Sequence, residues 1–145
     1  MKFFWIFVSI LLVGCATTPV MVDQAKPVPE ERIYDAYSKY RDPNASNSQI
    51  VIVRDKGALG AAGSAALFVN GEIVSRIRTS EIIRLNVSEG DNVIGVGPGT
   101  KLSWEKDNVE LIEQPLFVQP NKTYFYRITV DGYKGLLLQR TTQIH

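Results

Sequence analysis

From residue 49 onward, apolar positions come in short alternating or β-branched runs separated by Gly, Pro, Asn and Asp, which is the pattern of strands and turns. Residues 49–54 (QIVIVR) form the first run and stop at Asp55-Lys56-Gly57. Runs at 64–69 and 73–77 flank Asn70-Gly71. Asn-Gly between two apolar runs predicts a two-residue hairpin turn, because a type I′ turn needs φ > 0 at both central residues. Residues 82–87 alternate, with Ile83, Leu85 and Val87 on one face and Ile82, Arg84 and Asn86 on the other. A turn at Glu89-Gly90-Asp91-Asn92 leads to a strand at 93–96, which the glycines at 95, 97 and 99 are expected to stop.

A further strand is predicted at 109–118, bent at Pro115, since proline cannot donate to a central ladder. The clearest alternation is 123–130, where Tyr124, Tyr126, Ile128 and Val130 share one face and Thr123, Phe125, Arg127 and Thr129 the other. The turn 131–135 then leads to a last strand at 136–140. Seven to eight short strands without a long helical period predict an all-β fold, a single antiparallel β-sandwich over 49–145, with a barrel as the second choice.

The first 48 residues read differently. Residues 16–31 hold Pro19, Pro27 and Pro29 and no period, which predicts an extended tether. Tyr34, Tyr37 and Tyr40 recur at helical spacing, so a short helix is expected near 33–40, its aromatic stripe packing on the domain. The expected organisation is therefore 1–14, a lipoprotein signal peptide; 15–48, the lipidated Cys with tether and short helix; and 49–145, the β-sandwich.

That signal assignment rests on Lys2, the apolar run 3–13 interrupted by Ser9, and Gly14. Such a run suits a signal peptide and falls short of the roughly 20 apolar residues that cross a bilayer. It ends in Leu12-Val13-Gly14-Cys15, which resembles the lipobox of bacterial lipoproteins. The resemblance implies that the Cys15 thiol takes a diacylglycerol and that Ala16, in place of Asp, directs the protein to the outer membrane, facing the periplasm. One acyl chain binds a membrane only marginally, whereas two or more anchor it stably. The expected partners are the bilayer, through acylated Cys15, and an envelope protein.

Composition narrows the chemistry. The 145-residue chain carries 16 Lys+Arg against 15 Asp+Glu, so charge gives no reason to expect nucleic acid. One Cys and one His exclude an intrachain disulfide and a zinc site of the usual Cys/His type, so no metal or other cofactor is expected. The single His is His145, the C-terminal residue, a poor place for the base of a Ser-His-Asp triad.

Glu105, Asp107, Glu110 and Glu113 cluster around Trp104, and paired carboxylates beside an aromatic ring suit glycoside chemistry. Lys101 and Lys106 interleave with them, which fits a solvated loop. Trp104 either packs on the domain or, at the tip of that loop, stacks on a glycan or a partner protein. The glycine-rich stretch 57–64 lacks the phosphate-loop signature, and Glu89-Gly90-Asp91-Asn92 lacks the spacing of a calcium loop.

Arg54-Asp55 with Gly57, Gly63-Ser64, Val69-Asn70-Gly71, Glu89-Gly90 and Tyr124-Phe125-Tyr126-Arg127 together resemble a bacterial lipoprotein family of unknown function. Its domain is a transthyretin-like or carboxypeptidase-regulatory-like β-sandwich. The sequence departs from that pattern at Glu89-Gly90-Asp91, where the family more often carries Pro-Gly. The resemblance implies fold and location and supplies no catalytic residue. The expected function is thus a non-enzymatic binding or scaffolding module for an envelope protein or cell-wall glycan. The alternative is an envelope hydrolase using carboxylates of the 105–113 segment.

Overall fold

The computed structural model describes residues 17–57, 63–99 and 111–142. Among them nine strands run in chain order: β1 (Lys26–Pro27), β2 (Gln49–Arg54), β3 (Ala65–Val69), β4 (Glu72–Ile77), β5 (Glu81–Asn86), β6 (Gly90–Pro98), β7 (Ile112–Val118), β8 (Thr123–Asp131) and β9 (Gly135–Thr141). They form two sheets, ordered β1-β5-β2-β8-β9 and β4-β3-β6-β7. The fold is an all-β sandwich.

Most pairings are antiparallel, but β1 runs parallel to β5 and β2 parallel to β8. A parallel pair needs a long crossover connection. Between β2 and β8 that crossover passes through both sheets.

The alternation seen in the sequence is the alternation of burial. Ile83, Leu85 and Val87 of the β5 segment lie in the inter-sheet core, as do Tyr124, Tyr126 and Ile128 of β8. Facing them from the second sheet are Leu67, Val69, Val74, Ile94 and Val96. The hairpin between β3 and β4 turns on Asn70 and Gly71, both with positive φ (50° and 80°). Asn70 also fastens that turn to β6: its backbone N–H donates to Val93 O (2.9 Å), and its Oδ1 accepts from Val93 N (2.8 Å).

β6 is longer than the sequence suggests, running through Gly95 and Gly97 instead of stopping there. Neighbours cover these glycines closely. A Cβ at Gly97 would sit 2.7 Å from Leu111 Cδ2, and one at Gly95 would sit 3.3 Å from Glu113 Cγ. At Gly99 a Cβ would overlap the backbone of Ser64, to which Gly99 N donates at 2.8 Å. At Gly95 and Gly97 the glycines mark close approach by neighbours and the strand runs on through them, whereas it does stop before Gly99. Pro115 sits on β7, which among the described strands is an edge paired only with β6, and there its missing N–H disrupts no ladder.

The N-terminal stretch corrects the tether expectation. From Thr17 onward it is part of the fold. Thr18 bridges Lys56, with Thr18 N donating to Lys56 O at 2.7 Å and Lys56 N to Thr18 O at 3.0 Å. Val20 is 4% exposed and packs with Val51, Val53 and Ile82 on the outer face of the first sheet. Burying such a side chain stabilises by about 1.5–3 kcal/mol, enough with these hydrogen bonds to hold the segment down.

Further along, β1 covers the free edge of β5, and Ile33 and Tyr34 bond the backbone of Ser75 and Val74 on β4. The segment thus covers one apolar face and two sheet edges that would otherwise invite aggregation. The short helix expected near 33–40 is a 3-10 turn, Asp35–Tyr37, followed by the single-turn helix α1 (Ser38–Arg41). Its tyrosines pack on the domain, with Tyr40 in the core and the Tyr37 hydroxyl donating to Arg84 O at 3.0 Å.

Candidate binding site at the open end of the sandwich

Strand registers place the connections at two opposite ends. β2 and β8 run side by side from Gln49 and Thr123 to Arg54 and Ile128. The end they run toward also holds Thr17, Lys56, Gly63, Pro98, Gly99, Ile112 and the β8–β9 turn. We call it the open end. The Asn70-Gly71 turn, Glu89 and Asn121 occupy the far end.

At the open end the sheets part around a cleft of about 490 Å³. This lies within the size range of small-ligand pockets. Val96, Pro98 and Ile112 line one wall, Val130 and Leu136 the other, and Lys134 stands at the rim. Arg54 forms part of the lining although the residue is only 2% exposed. Its Nη1 donates to Gly63 O (3.0 Å) and Ile77 O (2.8 Å), joining β2 to both ends of the β3–β4 hairpin. Burial lowers the pKa of this guanidinium from its ordinary value.

Asp55, the next residue, points to the opposite face of the sheet. Its Oδ1 accepts from Arg127 Nη1 at 2.6 Å and from Val20 N at 3.0 Å, while Arg127 Nη1 also reaches Val20 O at 3.0 Å. The pair is nearly dry, with side chains 3% and 13% exposed. It clamps the N-terminal segment to the sheet. A second ion pair, Arg32–Glu81, holds the same segment further along; Glu81 also accepts from Arg78 N at 2.7 Å.

On the rim, Asp131 Oδ1 accepts the backbone N–H groups of Tyr133 (2.8 Å) and Lys134 (2.9 Å). These bonds hold its carboxyl below the usual carboxylate range. Gly135 closes the turn at φ 76°.

Cys15 and Trp104 lie outside the described residues, as do Glu105, Asp107, Glu110 and His145. Of the acid cluster only Glu113 is described. It is exposed on edge strand β7, with its Cγ over the Gly95 backbone. Of the Glu89-Gly90-Asp91-Asn92 stretch expected as a turn, Gly90, Asp91 and Asn92 already belong to β6, and the chain bends before them at Ser88-Glu89, where Asn92 Nδ2 donates to Ser88 O (3.0 Å) and Gly90 O (3.2 Å). No group of three or more His, Cys, Asp or Glu among the described residues converges to hold a metal.

The sequence places Arg54 at the end of a strand, Asp55 just after it and Arg127 on one face of 123–130, but gives their side chains no bonding partners. The available signal was an Arg-Asp pair directly after a run buried on both faces, a place where charges persist only if bonded.

Comparison of the chain with protein families, with curated proteins and with solved structures finds no match.

Proposed function

We propose that this chain is a lipid-anchored, non-enzymatic lipoprotein of the bacterial outer membrane whose sandwich binds another envelope protein at its open end. The observation that carries the reading is the cleft itself. Its walls are mostly apolar, and its polar side chains among the described residues are the buried Arg54 guanidinium, the Ser64 hydroxyl and the exposed Lys134 amine. Such a lining suits an apolar side chain presented by a protein, with a carbonyl or carboxylate nearby for Lys134. A glycan would call for an aromatic platform and several outward hydrogen-bonding groups, which the described lining does not offer. The lipobox-like end of the signal segment supports the anchoring, and Ala16 supports the outer-membrane destination.

Filling the cleft tests the binding role. Leu136→Trp, placed on the half-exposed wall of β9, should lower recovery of the crosslinked partner about tenfold, equivalent to roughly 1.4 kcal/mol. Its melting temperature should stay within a few degrees of the parent's. Recovery equal to that of the parent chain would show that the partner binds elsewhere.

A further inference from the structure

The attachment of Thr17 has a geometric consequence for any lipid on Cys15. Thr17 Oγ1 donates to Val130 O at 3.0 Å, and Thr18 is bonded in both directions to Lys56. The chain therefore enters the fold at the open end. Position 15 is two residues upstream, so whatever path the chain takes, Cys15 Cα lies within about 7 Å of Thr17 Cα. The headgroup layer of a bilayer leaflet is itself roughly 5–8 Å deep. An acylated Cys15 would leave no room for a spacer between membrane and domain.

The open end also carries side chains suited to that position. Tyr133 is fully exposed at the tip of the β8–β9 turn, on a backbone fixed by Asp131 and Gly135. A tyrosine held outward on a rigid turn, with no protein surface against its ring, is what an interfacial anchor requires, since its ring suits the headgroup level. Lys134 adjoins it, and Lys56 is exposed beside the entry of the chain, two cations against the rim carboxylate of Asp131, which is bonded to the N–H groups of Tyr133 and Lys134. At the far end the exposed Glu72, Glu89 and Asp91 stand with Lys39 and Lys122, and Lys39 pairs with Glu72. The unpaired excess there is acidic, which anionic headgroups repel.

We infer that the open end of the sandwich lies on the bilayer that holds the anchor. Tyr133 sits in the headgroup layer, and Lys56 and Lys134 lie against anionic lipid oxygens. The inference rests on the acylation of Cys15 proposed above. It goes further by orienting the domain, since a partner reaching the cleft must then do so at the membrane surface.

The test uses full-length, natively processed protein in vesicles of phosphatidylcholine with about a quarter phosphatidylglycerol. Acylation consumes the only native thiol, so Tyr133→Cys and Glu89→Cys each offer one site for a nitroxide. Flotation with the vesicles is checked first. The ratio of oxygen to aqueous chelate collisions at position 133 should exceed that at 89 about fivefold, as for a side chain seated at the headgroup boundary. Adding Lys56→Glu and Lys134→Glu should reduce that ratio. Protein that floats but shows equal ratios at 133 and 89 overturns the orientation and leaves the anchoring intact. Protein that does not float overturns both.

Discussion

Asp55→Ala should lower folding stability by about 3–5 kcal/mol, because it removes one member of a buried ion pair and leaves the other in place. The Asp55 carboxylate meets both the Arg127 guanidinium and the Val20 amide. Without it Arg127 remains largely shielded from water with its countercharge gone, and Val20 N loses its acceptor. The penalty is compounded because Val20 then has less reason to stay against Val51, Val53 and Ile82.

A loss of this size should lower the melting temperature by roughly 15 °C. It should also open a cleavage site for protease within residues 17–25 under native conditions. Asp55→Asn keeps an acceptor for Val20 but not the charge, and should fall between the two. An Asp55→Ala protein with the parent's melting temperature and no new cleavage would mean that the N-terminal segment is held by its apolar contacts alone.

Arg54→Met should cost about 1 kcal/mol, the balance of two opposed effects. The guanidinium satisfies the carbonyls of buried Ile77 and of exposed Gly63, whose oxygen can turn to water; a buried acceptor left without a donor costs about 1–3 kcal/mol. Against this, burial disfavours the cation itself, as its lowered pKa indicates, and methionine relieves that strain on the same apolar stem. The orphaned Ile77 carbonyl outweighs the relief, so the denaturant midpoint should fall while the slope of the transition stays the same. A midpoint at or above the parent's would show that desolvation of the cation dominates. Arg54 would then be retained for what it contributes to the cleft.

The strands were legible because each carries its own periodicity. Residues 82–87 and 123–130 announce their buried faces residue by residue, and Asn70-Gly71 specifies its turn through backbone sterics alone. Gly95 and Gly97 of β6 misled the expectation, since their reason lies in Glu113 and Leu111 approaching from another segment.

The tether expectation failed on a similar point. From Thr17 to Glu31 the chain has no period because it follows the outer surface of the sheet as an irregular strap and a two-residue strand. The clue lay elsewhere, in β2. Ile50, Val51, Ile52 and Val53 are apolar on both faces, so the second face needed a cover that the other strands do not supply. Parallel pairing of β2 with β8 was equally out of reach, since partner choice across about 70 residues depends on the whole topology. For the site, the apolar walls were visible as strand residues, but their meeting around a cleft arises only when the two sheets part.

The central claim is that Cys15 is processed and acylated, fastening a sandwich that begins at Thr17 directly to a membrane. The intact mass of the protein recovered from the membrane fraction tests it most directly. The predicted species starts at Cys15, lacks residues 1–14 and carries the added mass of a diacylglyceryl group with further acylation at its N-terminus. A chain that retains residues 1–14, or that carries an unmodified Cys15 thiol, would contradict it.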